Sequence, residues 1–206
     1  IISLALAEFL NQNIKMKGFF RAAFLLPVIV SGVVVTILWQ HLFGFDSGLF
    51  NRMLVSIGLS KVGWLIDPNI AMGSIAIMAT WKNVGLYVIL FLVGLQTVPT
   101  HYYEAASIEG ASHWQKFRKI TLPMINPTRF MVVMLSTIGG VSLFIEPYIM
   151  TGGGPLSSTM SSVLYVYKQA FEYFHMGYSV TLGFFFAMLI LGVVVIQKKY
   201  IERAED

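Results

Sequence analysis

The chain has 206 residues, of which 56% are hydrophobic and only 12% are charged, about half the charged fraction of a soluble domain. Its long apolar segments exclude an ordinary soluble domain and predict an integral membrane protein. The net charge of +4 does not indicate nucleic-acid binding, because the basic residues lie in a few loops. The absence of Cys excludes disulfides, thiol nucleophiles and thiolate metal sites.

The first half of the chain predicts two full spans. Ile1–Leu10 is apolar but short, and we interpret it as the end of a spanning helix that begins before this sequence. Ala22–Leu42 is long enough to cross a bilayer as one helix, with Pro27 in its first turns. A loop containing a short amphipathic helix around Leu49–Ile57 leads to the second span, Ala71–Val98.

The second half predicts two more spans. Asn126 and Pro127 suit the N-cap and first position of a helix whose apolar part is Phe130–Met150. After a Gly-rich loop, Ser161–Phe174 is predicted to form a short interfacial helix, and Tyr178–Ile196 the last span. The whole pattern predicts an all-α, polytopic membrane helix bundle.

The distribution of basic residues predicts the orientation of these spans. By the positive-inside rule, the loops rich in Lys and Arg face the cytoplasm, which places the central loop and the C-terminus there. Ten of the 14 Lys and Arg lie in alternate loops: Lys15, Lys17, Arg21, Lys116, Arg118, Lys119, Arg129, Lys198, Lys199 and Arg203.

The central loop, between Pro99 and Pro123, is the longest polar segment of the chain. Its first helix is predicted from Thr100, as N-cap, to Glu109, and Gly110 then provides the left-handed residue that ends many helices.

A second helix is predicted to begin with a capping box formed by Ser112 and Gln115, and to end at Pro123. An amphipathic loop lying on the lipid surface is the alternative interpretation. An anionic lipid surface would repel the carboxylates of Glu104 and Glu109, which favours a protein partner.

The central loop resembles the EAA loop of permease subunits in binding-protein-dependent ABC importers. The motif is carried by Glu104-Ala105-Ala106, Gly110 and Ile120-x-Leu122-Pro123. Glu109 stands where that family most often has Asp. Three flanking strings resemble the sugar-uptake branch of the family: Gly94-Leu95-Gln96-x-Val98-Pro99, Trp114-Gln115-x-Phe117 and Thr151-Gly152-Gly153-Gly154-Pro155.

The resemblance implies a single permease domain over residues 1–206, with the coupling loop at 100–123, in a bacterial or archaeal cytoplasmic membrane. It implies a second homologous permease, a cytoplasmic ATPase dimer that holds ATP-Mg, and an extracytoplasmic solute-binding protein. Glu104 would pair with a basic group of the ATPase, and Gly110 would form the bend. The implied coupling residues are Glu104, Ala105, Ala106, Glu109, Gly110, Ala111, Leu122 and Pro123.

A second group of candidates lies within the predicted spans. Lys82 and Glu146 both fall in the outer half of the bilayer by helix rise, at heights where they can form an ion pair. The functional hypothesis is a polar translocation path with aromatic rings that stack on sugars, and the alternative is packing between helices and at the interface. The candidates are Trp81, Lys82, Asn83, Tyr87, Phe144, Glu146 and Tyr148.

Enzymatic function has little support in the sequence. No phosphate-binding loop of the G-x-x-x-x-G-K-[ST] type occurs, so this chain is expected to bind no cofactor and to leave ATP hydrolysis to a partner. The four His residues show no metal-ligand spacing. Import of glycerol phosphate or another organic solute is the main alternative, and a membrane-embedded enzyme with a catalytic polar loop is the other.

Overall fold

The computed structural model describes residues 1–12 and 15–202, and within these ranges the regular structure is helical, with no strand. Arg203 of the predicted cytoplasmic C-terminus lies outside the described residues. The first six helices are α1 (Ile2–Asn11), α2 (Lys17–Ile29), α3 (Gly32–Leu42), α4 (Leu49–Ser56), α5 (Ala71–Gln96) and α6 (Thr100–Ile108). The remaining α-helices are α7 (His113–Lys116), α8 (Leu122–Met124), α9 (Asn126–Val141), α10 (Ile145–Thr151), α11 (Ser162–Tyr167) and α12 (Met176–Glu202), and two π-helical segments, Phe117–Thr121 and Lys168–Glu172, follow α7 and α11.

Three stretches of the described chain are long and apolar enough to cross a membrane, and the bent pair α2–α3 makes a fourth if it is counted as one span. The three are Ala71–Gln96, Asn126–Thr151 and Met176–Tyr200. These lie where the apolar segments predict spans. The helix α4 also forms within one residue of its prediction, and α9 begins at Asn126 itself, with Pro127 second.

The prediction of one continuous helix over Ala22–Leu42 is wrong. The helix α2 begins at Lys17, so Pro27 lies near its end rather than in its first turns. After Ile29 the chain turns by 95° into α3. The helix continues through Pro27, and the break lies where Ser31 leaves helical geometry, with an extended ψ of 128°.

The prediction that Pro123 ends the second helix of the central loop is also wrong. The helix α7 runs directly into a π-helical segment, Phe117–Thr121, and then into α8. In that segment the N–H of Leu122 donates to the carbonyl of Phe117, five residues back instead of four. This shift in the hydrogen-bond ladder lets the helix accommodate a residue that has no N–H.

The chain divides into two compact units, and the prediction of one domain over 1–206 stays a prediction. The first unit comprises Ile1–Leu25, Val84–Thr137 and Ile190–Asp206. Gly85 allows a close helix approach in this unit, since an added Cβ would overlap the carbonyl of Phe24. Its core is a cluster of buried apolar side chains from α1, α5 and α9 and the residues flanking them: Ala7, Leu10, Val88, Phe91, Leu92, Leu95, Val98, Ile125 and Val132.

The second unit comprises Leu26–Asn83 and Ile138–Leu189. Its buried apolar core is formed by Val35, Trp39, Phe43, Ile75, Met78 and Met150. The helices α3 and α10 pack together there, and the Gln40 amide donates to the carbonyl of Ile149 at 3.0 Å.

A buried amide holds the loop around α4 in place. Asn51 is 1% exposed. Its Nδ2 donates to the carbonyls of Phe45 and Val62 at 3.0 and 2.9 Å, and its Oδ1 accepts from the Val62 N–H and the Trp64 indole at 2.9 and 3.1 Å. Four hydrogen bonds satisfy the group fully, which is what burial of an amide requires.

Candidate functional site

The central loop forms a hairpin of two helices, hereafter the coupling hairpin (100–124). Its first helix ends in a Schellman motif: the N–H of Ala111 donates to the carbonyl of Ala106, and that of Gly110 to Ser107. Gly110 has φ +77°, as the sequence predicts for this position. The N-cap of this helix is Pro99, so the prediction of Thr100 as the cap is wrong.

The second helix of the coupling hairpin begins with the predicted capping box. The Gln115 side chain accepts from the N–H of Ser112 at 2.7 Å, and the Ser112 hydroxyl accepts from the N–H of Gln115 at 3.3 Å. Because both halves of the box are present, two orphan donors at the helix start are satisfied.

Contacts between the two helices fix the coupling hairpin as one piece. The hydroxyls of Tyr103 and Thr121 hydrogen-bond at 2.9 Å, across 18 residues of sequence. The Lys116 ammonium donates to the Ser107 hydroxyl at 2.7 Å, and that hydroxyl donates to the carbonyl of Tyr103 at 2.6 Å. These four residues were missed by sequence reasoning, since only the folded hairpin brings them together.

The predicted coupling residues lie on the surface of the coupling hairpin. Glu104, Ala105, Glu109, Gly110 and Pro123 are exposed, and Ala106, Ala111 and Leu122 are partly buried.

Two large apolar side chains of the coupling hairpin are also exposed. Ile108 is 89% exposed and Trp114 is 66% exposed, and Trp114 stacks on Phe117 with ring centroids 5.7 Å apart. Exposed carboxylates beside exposed apolar side chains on a rigid element are typical of a surface that binds another protein.

The second unit contains a buried ion pair. The Lys82 ammonium lies 3.6 Å from the Glu146 carboxylate, and their side chains are 16% and 7% exposed. Gly32 makes room for the lysine, because an added Cβ there would lie 2.6 Å from Lys82 Nζ. The hypothesis that helix rise brings these two charges together is confirmed, whereas their role in a path stays a prediction.

The predicted path aromatics fall into separate clusters. Trp81 packs against Trp39, with ring centroids 5.2 Å apart. Phe144 stacks on Tyr148 at 5.4 Å, and Tyr167 packs against both. The hydrogen bond of Tyr167 with the Tyr148 hydroxyl is the main cause that raises the pKa of Tyr167 above its ordinary value.

The last two path candidates do not join these clusters. Asn83 donates to the carbonyl of Ala79 on its own helix at 2.8 Å. Tyr87 belongs to the first unit and packs on its apolar core. Tyr167 and Phe171, which continue the Phe144–Tyr148 cluster, were not predicted, although their spacing of four along one helical stretch is a detectable signal. Within residues 1–12 and 15–202 no group of His, Cys, Asp and Glu could hold a metal ion.

Comparison with known proteins gives matches over nearly the whole chain. The family model described as "Binding-protein-dependent transport system inner membrane component" matches residues 1–205. The probable ABC transporter permease protein YurN of Bacillus subtilis is 33% identical over 98% of this chain and 71% of its own. The arabinooligosaccharides transport system permease protein AraP of the same organism is 34% identical over 96% of this chain and 64% of its own. The trehalose/maltose transport system permease protein MalF of Thermococcus litoralis is 37% identical over 86% and 59%.

The chain therefore spans about two thirds of the length of these relatives. Among solved structures, a chain of a bacterial ABC transporter involved in the import of the acidic polysaccharide alginate superposes with a TM-score of 0.85. It covers 99% of this chain at 24% identity, and this chain covers 72% of it. This likeness confirms the predicted all-α fold of the importer-permease type.

Proposed function

Because this chain belongs to the family of binding-protein-dependent transport system inner membrane components, we propose that it is the permease subunit of an ATP-driven importer for a sugar or related solute. It forms part of the translocation path and couples to a cytoplasmic ATPase through the coupling hairpin. The apolar spans support a multi-pass protein of the inner membrane, and the proposed cytoplasmic position of the C-terminus rests on the distribution of Lys and Arg.

The single observation that carries this proposal is the coupling hairpin. A hairpin locked by Tyr103–Thr121 and Lys116–Ser107 transmits a push to the span that follows it, because it cannot absorb the push by bending. Glu104 stands exposed on that hairpin, available to a basic group of the ATPase.

The cargo class is supported by the names of the relatives, which include permeases for arabinooligosaccharides, trehalose/maltose and lactose. Glycerol phosphate or another organic solute is the alternative cargo. The membrane-embedded enzyme has no support from these names, since each of the relatives reported is a permease.

The proposed partners are a second homologous permease, an ATPase dimer with ATP-Mg, and an extracytoplasmic solute-binding protein. A complex of the alginate transporter includes a periplasmic protein bound to an alginate pentasaccharide. The proposed path residues are Trp81, Lys82, Asn83, Tyr87, Phe144, Glu146 and Tyr148.

Co-purification tests the coupling role. We expect Glu104→Lys to lose the ATPase subunit on purification and to lose solute uptake driven by the cognate binding protein, because the substitution reverses the charge at the contact. Glu104→Asp, which keeps the charge, is the matched control, and the amount of each variant in the membrane fraction verifies insertion. Normal uptake by an inserted Glu104→Lys protein would exclude the proposed role of Glu104.

A further inference from the structure

An apolar pocket of about 350 Å³ lies within the second unit, between α4 and the helices α3 and α5. One wall is formed by Phe50, Met53 and Leu54 of α4 and by Ile57, which directly follows it. Their spacing of three, four and seven residues is that of one helix face. Arg52, the charged residue of α4, lies outside this stripe and is exposed.

The opposite wall is aromatic. Trp39 comes from α3, Phe43 directly follows α3, and Trp64 lies in the loop after α4. The ring centroids of Trp39 and Phe43 are 5.4 Å apart, and those of Phe43 and Trp64 are 5.5 Å apart. The indole N–H of Trp64 is already used, since it donates to Asn51 at 3.1 Å. A sugar needs convergent hydrogen-bonding groups in addition to aromatic faces. The composition of this pocket favours an apolar occupant.

The mouth of the pocket opens on an apolar surface. Met53, Ile57 and Ile77 line it and are 58%, 71% and 55% exposed. Ile77 belongs to the span Ala71–Gln96, six residues from its start, which is about 9 Å of helix rise. An opening at this depth of a spanning helix faces the outer part of the hydrocarbon or its boundary with the headgroups.

We infer that this pocket holds one acyl chain of a membrane phospholipid and that α4 is an interfacial helix lying over it. Such helices bury their apolar face at the boundary between headgroups and acyl chains, with their charged face toward water. Arg52 then points away from the acyl chain, and the phospholipid enters between Ile57 and Ile77. This inference needs the protein to lie in a bilayer but does not depend on its cargo or on coupling to an ATPase.

Photolabelling tests the lipid site. The complete importer is reconstituted in nanodiscs of phosphatidylethanolamine and phosphatidylglycerol that contain a phospholipid with a diazirine in its acyl chain. Labelled positions are mapped by peptide mass spectrometry. We expect label on Trp39, which is 8% exposed and lines the pocket. Val180, 72% exposed on α12, serves as the reference for ordinary lipid contact.

Two substitutions that fill the pocket from different walls, Ile57→Trp and Ile77→Trp, should each lose the Trp39 label and keep the Val180 label. Val55→Trp is the matched control, because Val55 lies on α4, is 51% exposed and does not line the pocket. The inference is overturned if Trp39 carries no label, or if all three variants keep it. It is also overturned if a photoreactive residue at position 53 captures the second permease subunit in place of lipid.

Discussion

Single residues of the coupling hairpin can be tested through backbone geometry alone. Gly110 has φ +77°, and an added Cβ would meet no atom within 4 Å. A Cβ at this position therefore costs about 1–2 kcal/mol through the left-handed conformation, which Gly110→Val would impose on a β-branched residue. We expect faster amide exchange at the end of α6 and weaker coupling of ATP hydrolysis to transport. Gly110→Asn should be milder, because Asn tolerates this region, and equal effects of the two would contradict the explanation.

The buried ion pair gives a second prediction at this scale. Lys82→Met leaves the Glu146 carboxylate, 7% exposed, without its partner. Breaking a buried pair in this way costs about 3–5 kcal/mol, whereas removing both charges is close to neutral. In thermal unfolding of the reconstituted complex, Lys82→Met should lower the transition temperature, and the double variant with Glu146→Gln should restore it. Additive losses would mean that the two charges do not interact.

Among the elements, the coupling hairpin is held by two contacts between its helices, of which the Tyr103–Thr121 hydrogen bond can be removed with one substitution. Tyr103→Phe removes the hydroxyl that bonds to Thr121, at a cost of about 1 kcal/mol. We expect increased amide exchange on both helices of the hairpin and reduced stimulation of the ATPase by the binding protein. Tyr102→Phe is the control, because Tyr102 is 46% exposed and its hydroxyl has no hydrogen-bond partner among the described residues. The same loss in both variants would exclude the Tyr103–Thr121 contact as the cause.

The local parts of these elements were predictable from sequence and the non-local parts were not. A Schellman glycine and a capping box act within a few residues, so Gly110 and Ser112 could be identified from their neighbours. The Tyr103–Thr121 bond joins positions 18 residues apart, and no local pattern encodes it. Pro123 shows the converse error, since a shift of hydrogen-bond register overrides a strong local helix breaker.

For the whole molecule, the positions of the three spans Ala71–Gln96, Asn126–Thr151 and Met176–Tyr200 were predictable, because the bilayer demands continuous apolar length. The bend between α2 and α3 was missed for the same reason, as hydropathy measures length and not direction. The pairing of Lys82 with Glu146 could be predicted, because the height of each residue can be counted by helix rise from an end of its span that the sequence marks. The aromatic cluster around Tyr167 required tertiary packing that no single segment specifies.

The orientation of this chain is the remaining prediction, and the absence of Cys from its 206 residues makes it directly testable. The positive-inside rule places Lys119 in the cytoplasm and the α4 loop, with Ser60, outside. Both side chains are exposed, so Lys119→Cys and Ser60→Cys each introduce one accessible thiol. A membrane-impermeant maleimide added to intact spheroplasts should label Ser60→Cys at once and Lys119→Cys only after permeabilisation. The unsubstituted chain, which stays unlabelled throughout, sets the background. The reverse order of labelling would place the coupling hairpin outside the cell, where it has no ATPase to contact.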